Sequence, residues 1–291
     1  MSAPRLFDHA VLHARVTRRQ RLDTGADFLF RRCAEDLADR LAPMLRPFPD
    51  ILVSGASTQA FTTVLKALRP QSTVHHATAS TPDLLLGENG QPLPPESLDM
   101  IASVLSLQHA NDLPGALIQI RRGLKPDGLF LGCLAGGATL TELRQCLTQA
   151  ESDLTGAVSP RVFPFADVRD MGGLLQRAGL ALPVADSESL IVRYDDIFAL
   201  MADLRLMGAT NILHERSRRF TRRAILLKAA EIYAHRFADA DGRIRATFEI
   251  IWLTGWAPHE SQQQPLKPGS AKQRLAAALG AIEHSSGDKP G

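Results

Sequence analysis

The sequence lacks the features that define disulfide-rich, membrane-spanning or strongly charged proteins. It has only three cysteines in 291 residues, Cys33, Cys133 and Cys146, and their spacing is typical of neither zinc sites nor disulfide frameworks. No uninterrupted apolar stretch approaches the roughly 20 residues that a membrane-crossing helix needs. The 33 Lys and Arg nearly balance the 31 Asp and Glu, and such a small excess does not predict a nucleic-acid partner. These absences favour a globular protein with reduced, mostly structural cysteines.

The N-terminal segment also lacks the sustained apolar core of a secretory signal peptide. It contains Asp8, His9 and several arginines instead. We therefore expect a cytoplasmic protein, and its length allows one or two domains with a sizeable core.

Two histidine pairs do not predict a metal site. His75 and His76 are neighbours on a predicted strand, where successive side chains point to opposite faces. His9 and His13 share a predicted helix face without a third ligand nearby in the sequence. No pattern of two histidines and one carboxylate for iron is visible either.

The most informative region begins with a strand and a helix. Residues 99–105 are almost all apolar, which is typical of a strand buried on both faces of a parallel sheet. The next helix is predicted to start near Asn111 or Asp112, whose side chains can cap it, with Pro114 in its first turn.

A second buried strand follows, because the turn residues 125–128 lead directly into the apolar residues 129–134. A strand–helix–strand unit with parallel strands places ligands beyond the carboxyl ends of the strands. Here that edge corresponds to residues 103–109 and 134–137.

This region resembles the fourth and fifth strands of class I S-adenosylmethionine-dependent methyltransferases, in particular through the sequence LKPDGLFL at residues 124–131. Longer motifs resemble the methyltransferase-like assembly factors of respiratory complex I, a family with mitochondrial members and alphaproteobacterial relatives. The motifs that carry this resemblance are residues 111–122, 141–144, 159–162, 164–170, 174–179, 241–244, 246–249 and 255–258.

The resemblance implies an α/β Rossmann-like fold with a seven-stranded, mostly parallel sheet whose last strand is antiparallel. We expect an N-terminal helical cap at residues 1–48 and a methyltransferase-like domain at residues 49–258. A helical insertion is expected at about residues 195–240, and a C-terminal tail at residues 259–291.

The resemblance also implies S-adenosylmethionine as the cofactor, but the glycine-rich loop departs from the usual pattern. Methyltransferases carry an acid two residues before the first of several spaced glycines, which let backbone and ligand approach closely. Here Val53 stands at the acidic position, Gly55 is kept, and Ser57 and Gln59 replace the later glycines.

The acid that normally holds the ribose is missing too, because Ala77 and Thr78 stand at its position. A non-glycine residue in a left-handed conformation costs about 1 to 2 kcal/mol, and a lost hydrogen bond to a charged group about 1.5 to 3 kcal/mol. Two or three such losses predict cofactor binding weaker by roughly a hundredfold or more.

The candidate site residues fall into two groups. The cofactor-binding candidates are Gly55, Ala56, Ser57, Ala77, Thr78, Glu88, Asn89, Ser103, Val104 and Leu105. The catalytic candidates are His109, Asn111 and Asp112, which follow the strand where class I enzymes place substrate-facing groups. His109 is a candidate base, whereas Asn111 and Asp112 are equally explained as helix caps.

The function implied by the resemblance is maturation of complex I through modification of a subunit. A mitochondrial family member is associated with hydroxylating an arginine of the iron–sulfur subunit, which is therefore the expected partner. Methyl transfer to another substrate and a pseudoenzyme that only binds its partner remain as alternatives. The basic clusters at residues 15–21 and 216–223 are interpreted as solvated faces or protein contacts, without a nucleic-acid partner.

Overall fold

The computed structural model describes residues 5–22, 27–55, 58–77 and 92–263. Contacts between residues divide the chain into two units, residues 1–258 and residues 259–291. The fold below is that of the first unit.

Eight helices and six strands make up the described part of this unit. The helices are α1 (His9–Leu22), α2 (Phe28–Leu41), α3 (Thr58–Leu68), α4 (Leu113–Gly123), α5 (Thr141–Thr155), α6 (Val168–Arg177), α7 (Ile197–Leu206) and α8 (Arg223–Phe237). The strands are β1 (Asp50–Gly55), β2 (Thr73–His76), β3 (Leu98–Val104), β4 (Leu124–Ala135), β5 (Ala181–Tyr194) and β6 (Ile244–Trp256). A single 3-10 turn, Leu107–His109, follows β3.

The strands form one mixed sheet in the order β2-β1-β3-β4-β6-β5. The first four pair in parallel, and β6 runs antiparallel to both of its neighbours. The expected α/β fold with an antiparallel last strand is therefore confirmed. The predicted count of seven strands is not matched, because the described residues form six and the described part of the stretch between β2 and β3 forms none.

Strand β3 is buried on both faces, as its apolar sequence predicts. Met100, Ala102 and Val104 belong to one core cluster. Leu98 and Ile101 belong to the cluster on the other side of the sheet. From Met100 to Val104 the alternation follows from the two-residue period of a strand, whereas Leu98 lies before a register shift in the pairing of β3 with β4. Burial on both faces explains why this run contains few polar residues.

The helix after β3 also begins where the sequence predicts. The Asp112 carboxylate accepts a hydrogen bond of 2.9 Å from the backbone N–H of Gly115, and Pro114 lies in the first turn of α4. Both features relieve the free N–H groups at a helix start.

The two N-terminal helices lie in different parts of the core. Leu37 and Leu41 of α2 are fully buried in the large cluster against the sheet. Leu12 and Val16 of α1 belong to a smaller cluster. That cluster consists of Phe7, Leu12, Val16, Phe163, Ile212 and Leu213. The N-terminal segment thus packs against residues from distant parts of the same unit.

Gly55, the last residue of β1, is fixed by its approach to β3. Its φ angle is +148°, and a Cβ atom built there would lie 2.3 Å from the carbonyl oxygen of Val104. Only glycine fits this combination of backbone angle and close contact. The neighbouring strand therefore accounts for Gly55 without a ligand.

We expect Gly55→Ala to lower the free energy of unfolding by about 3 kcal/mol, since the added methyl group must displace backbone as well as strain φ. Gly173→Ala is the matched control, because Gly173 lies within α6 and an added Cβ would meet nothing within 4 Å. The free energy of unfolding of this control should rise by about 0.5 to 1 kcal/mol, because alanine has a higher helix propensity than glycine. Urea unfolding of both variants measures the difference, and a Gly55→Ala protein as stable as wild type would contradict the packing explanation.

Candidate functional site

A cavity of about 860 Å³ lies at the carboxyl ends of β3 and β4. The sheet contributes residues that follow these strands, and helices α1 and α2 contribute a second wall. The remaining walls come from the start of α5, from residues 159–165, from α7, from the region between α7 and α8 with the start of α8, and from Phe248 of β6. The cavity therefore occupies the edge that the strand–helix–strand unit predicts.

Asn111 holds the N-terminal segment beside this cavity. Its side-chain oxygen accepts a hydrogen bond of 2.7 Å from the backbone N–H of Phe7, and its amide nitrogen donates to the Phe7 carbonyl at 3.2 Å. Asp8 continues the attachment by donating its backbone N–H to Ile212 at 2.9 Å. The amide nitrogen of Asn111 also lies 3.1 Å from Nε2 of His9, so the contacts of this side chain with the N-terminal segment account for its presence.

Asp112 is accounted for in the same way by the cap of α4 described above. The structure therefore supports the helix-cap explanation for Asp112 and gives Asn111 a structural role of a different kind. A catalytic role for either residue stays a prediction.

His109 lines the cavity and is half-buried among aromatic rings. Its ring centroid lies 6.1 Å from that of Phe7 and 5.5 Å from that of Phe163, in edge-to-face arrangements. Burial, reinforced by the nearby charge of His9, lowers the pKa of His109 to about 4. The imidazole is therefore neutral at pH 7 and is a weaker base than an ordinary histidine.

Two leucines with left-handed backbone border the cavity. Leu105 has a φ of +44° and Leu140 a φ of +54°. Each is anchored by a hydrogen bond from its backbone N–H, Leu105 to Cys133 and Leu140 to Thr247, both at 2.8 Å. Bulky residues rarely adopt this conformation, and such strain is characteristic of functional sites.

The side expected to hold S-adenosylmethionine is described only in part, since Ala56, Ser57, Thr78, Glu88 and Asn89 lie outside the described residues. Val104 is buried in the core and pairs with Gly55 across the sheet. Ser103 is also buried, and its hydroxyl has no hydrogen-bond partner in the described ranges. Ser103 does not line the cavity, so its hydroxyl is an unsatisfied polar group inside the sheet.

The positions that should supply acids to the cofactor are buried and apolar. Val53 is fully buried in the core cluster of the sheet, and Ala77 is buried on the opposite side of the sheet. Neither position offers a carboxylate to the ribose or to the methionine amine. In the part of the chain that the structure describes, these residues do not fit the contacts by which class I methyltransferases hold S-adenosylmethionine.

Five arginines line the cavity and were not predicted as site residues from the sequence. They are Arg15, Arg161, Arg205, Arg216 and Arg218. Arg15 and the last two belong to basic clusters that look like solvated helix faces in the sequence. Arg161 lies in one of the motifs that carry the family resemblance, which is the one sequence signal that pointed to it.

In the described ranges, no group of three or more His, Cys, Asp or Glu side chains is arranged to hold a metal ion. None of the helices there combines the length and apolar character needed to cross a membrane.

The chain is similar to proteins with a methyltransferase fold. Residues 54–132 match a family described as a methyltransferase domain. The YcgJ protein from Bacillus subtilis has a solved structure that superposes with a TM-score of 0.51 at 14% sequence identity, covering 78% of this chain and 99% of that one. The fold expected from the sequence is confirmed by this likeness.

Similarity in sequence extends further than that domain. The mitochondrial arginine-hydroxylase NDUFAF5 of Rattus norvegicus is 37% identical over 257 residues, which is 84% of this chain and 75% of that protein. The protein of the same name from Dictyostelium discoideum is 45% identical over 186 residues, which is 64% of this chain but only 42% of that protein. The match therefore spans less than half the length of the Dictyostelium relative.

We predict that His109 makes the stability of the protein sensitive to mild acid. The unfolded histidine takes up a proton near pH 6.5, whereas the folded one does so only near pH 4. Protonation therefore favours the unfolded state. The stability present above pH 6.5 is lost as the pH falls toward 4, by about 2 kcal/mol between pH 7 and pH 5.

His109→Gln should remove this component, so that its loss of stability between pH 7 and pH 5 is smaller than that of wild type by the same amount. Urea unfolding at the two pH values measures it. His13→Gln, at an exposed position of α1, is the control and should keep the wild-type dependence. An unchanged dependence in His109→Gln would show that burial of this ring does not disfavour its cation.

Proposed function

This chain belongs to the NDUFAF5 arginine-hydroxylase family, and from that premise we propose that it acts in the maturation of respiratory complex I by modifying a subunit. The expected partner is the iron–sulfur subunit, reached from the cytoplasm. The proposal concerns the activity of the whole protein. The names of the relatives suggest the modification, and the cavity is the site at which we propose that it occurs.

The observation that carries this proposal is the origin of the cavity walls. Among the described residues of the range 54–132, which matches the general methyltransferase domain, only Leu105, Ser106, Gln108 and His109 line the cavity. The other lining residues come from the cap, from the end of β4 and the start of α5, from residues 159–165, from the region around α7 and α8, and from Phe248 of β6. Similarity to the rat relative extends over 84% of the chain, so the substrate-shaping segments fall largely within what the family shares.

The residues at the sheet edge suit a substrate held by neutral hydrogen-bonding groups. His109 is neutral at pH 7, and its ring nitrogens can donate or accept a hydrogen bond. The neutral side chains of Ser106 and Gln108 line the cavity beside it. These groups can orient a substrate, and no described carboxylate lines the cavity to serve as a base.

Deleting the gene from its host is expected to lower the NADH:quinone oxidoreductase activity of isolated membranes. Succinate oxidation should be unchanged, because it bypasses complex I. Expression of the wild-type chain from a plasmid should restore the activity. Normal complex I activity in the deletion strain would eliminate the proposed role.

Mass spectrometry of the iron–sulfur subunit from the same strains separates the possible modifications. Hydroxylation adds the mass of one oxygen to a peptide in the wild type, whereas methylation adds the mass of one methylene group. Loss of complex I activity without either difference would favour the second candidate function, a binding platform that assists assembly without chemistry.

The buried apolar residues Val53 and Ala77 are the observation that favours this second candidate. We expect calorimetric titration with S-adenosylmethionine and with S-adenosylhomocysteine to give no saturable binding at micromolar ligand, because the acidic contacts are missing. A class I methyltransferase with an intact glycine-rich loop serves as the positive control. Micromolar binding by this chain would rule out the platform in its simplest form and would favour methyl transfer to a substrate.

A further inference from the structure

The charged side chains that line the cavity are all positive among the described residues. Its five lining arginines face no lining Asp or Glu among the described residues. Three of them, Arg15, Arg161 and Arg216, are half-buried, whereas Arg205 and Arg218 are exposed. The volume of about 860 Å³ is in the range of sites for small organic ligands.

Two of the half-buried arginines have counter-ions outside the cavity wall. Arg161 contacts Glu151 at 2.7 Å, and Arg216 contacts Asp8 at 3.1 Å. Burial raises the pKa of Glu151, but hydrogen bonds from Arg161 and Ser159 outweigh it and lower the pKa overall. Each of these pairs is therefore ionised and close to neutral in total.

The other half-buried arginine has only backbone partners within hydrogen-bond distance in the described ranges. One nitrogen of the Arg15 guanidinium, Nη1, donates to the carbonyl oxygens of Thr210 and Asn211, each at 2.5 Å. Burial, together with the positive charge of Arg216, lowers the pKa of Arg15, and the nearby carboxylate of Asp8 opposes this shift. A negatively charged ligand in the cavity would stabilise the Arg15 cation further, because no described lining residue carries a carboxylate.

The two exposed arginines add to the positive charge that no carboxylate balances. Neither Arg205 nor Arg218 has a side-chain hydrogen bond or an ion pair in the described part of the chain. With Arg15 they leave three positive charges without a carboxylate partner around one cavity. Guanidinium groups are donors only and match the two oxygens of a carboxylate.

Most of the remaining wall is apolar. Apolar side chains from several elements form it, among them Leu143, Leu147, Phe163, Met201 and Phe248. A ligand that buries apolar surface here gains free energy in proportion to the area removed from water. The positive charge and the apolar surface of the wall together favour a ligand that is amphipathic and negatively charged.

We propose that this cavity binds a ligand with a carboxylate group on an apolar chain, of the acyl type. The carboxylate pairs with the arginines that lack a carboxylate partner, and the chain lies against the apolar wall. The proposal goes beyond the role in complex I, and binding is measured on the isolated protein, so either idea can fail without the other.

The probes are decanoate and decylamine, each below its critical micelle concentration, and decanol below its solubility limit. We expect isothermal titration of the full-length protein to show decanoate binding at least about tenfold more tightly than either of the other two, since they share the chain but not the negative charge. Added salt should weaken decanoate binding, because Arg205 and Arg218 are exposed to solvent and salt screens their charges. Equal affinity for decylamine, or no binding of decanoate, would overturn the proposal.

The double variant Arg205→Gln/Arg218→Gln tests whether decanoate binds in this cavity. Both side chains are exposed, so the fold should be retained, and decanoate affinity is expected to fall about tenfold. Arg219→Gln is the matched control, because Arg219 is an exposed neighbour that does not line the cavity. The control should bind like wild type. An undiminished affinity in the double variant, or an equal loss in the control, would contradict the proposed site.

Discussion

Everything at the candidate site depends on the parallel pairing of β3 between β1 and β4. Ser103 pairs with Ser54 on one side and with Gly132 on the other, so the three strands end at one edge of the sheet. The chain leaves β3 and β4 at that edge, and the residues that follow form the floor of the cavity. Gly55 is part of the same constraint, because no side chain fits between it and Val104. An antiparallel β3 would have placed these ends on opposite sides.

The N-terminal segment turns this open edge into an enclosed space. Phe7 is only 4% exposed and is hydrogen-bonded to Asn111, which lies 104 residues away in the sequence. The Asp8–Arg216 ion pair adds a contact across 208 residues. A backbone hydrogen bond from Val11, with a smaller contribution from Arg216, lowers the pKa of Asp8, so the pair stays ionised. Contacts between such distant residues form only after the sheet has brought them together, since closing long loops costs conformational entropy.

An element can be predicted from the sequence when the residues that determine it lie close together in the chain. Strand β3 and the start of α4 follow from an apolar run, a cap and a proline, all within about twenty residues of sequence. Strand β5 lies at the edge of the sheet, and its polar residues Asp186 and Glu188 are half-exposed, so this part of the strand gives no apolar signal in the sequence. The partner of Asn111 could not be predicted, since a side-chain amide can satisfy any exposed backbone pair. The same holds for the arginines, which come from four separate segments and meet only in the folded chain.

The charge of the cavity also restricts what a protein substrate can present to it. A guanidinium entering near Arg15, Arg205 and Arg218 would meet like charges, and no lining carboxylate among the described residues would compensate for its lost hydration. The lining near Ser106 and His109 is neutral by contrast, because the His109 imidazole carries no charge at pH 7. Under the role in complex I maturation proposed above, a partner would place the arginine to be modified against Ser106 and His109, and an acidic or apolar neighbour against the arginines and the apolar wall. On that proposal the positive charge in the wall would select the segment around the target rather than the target itself.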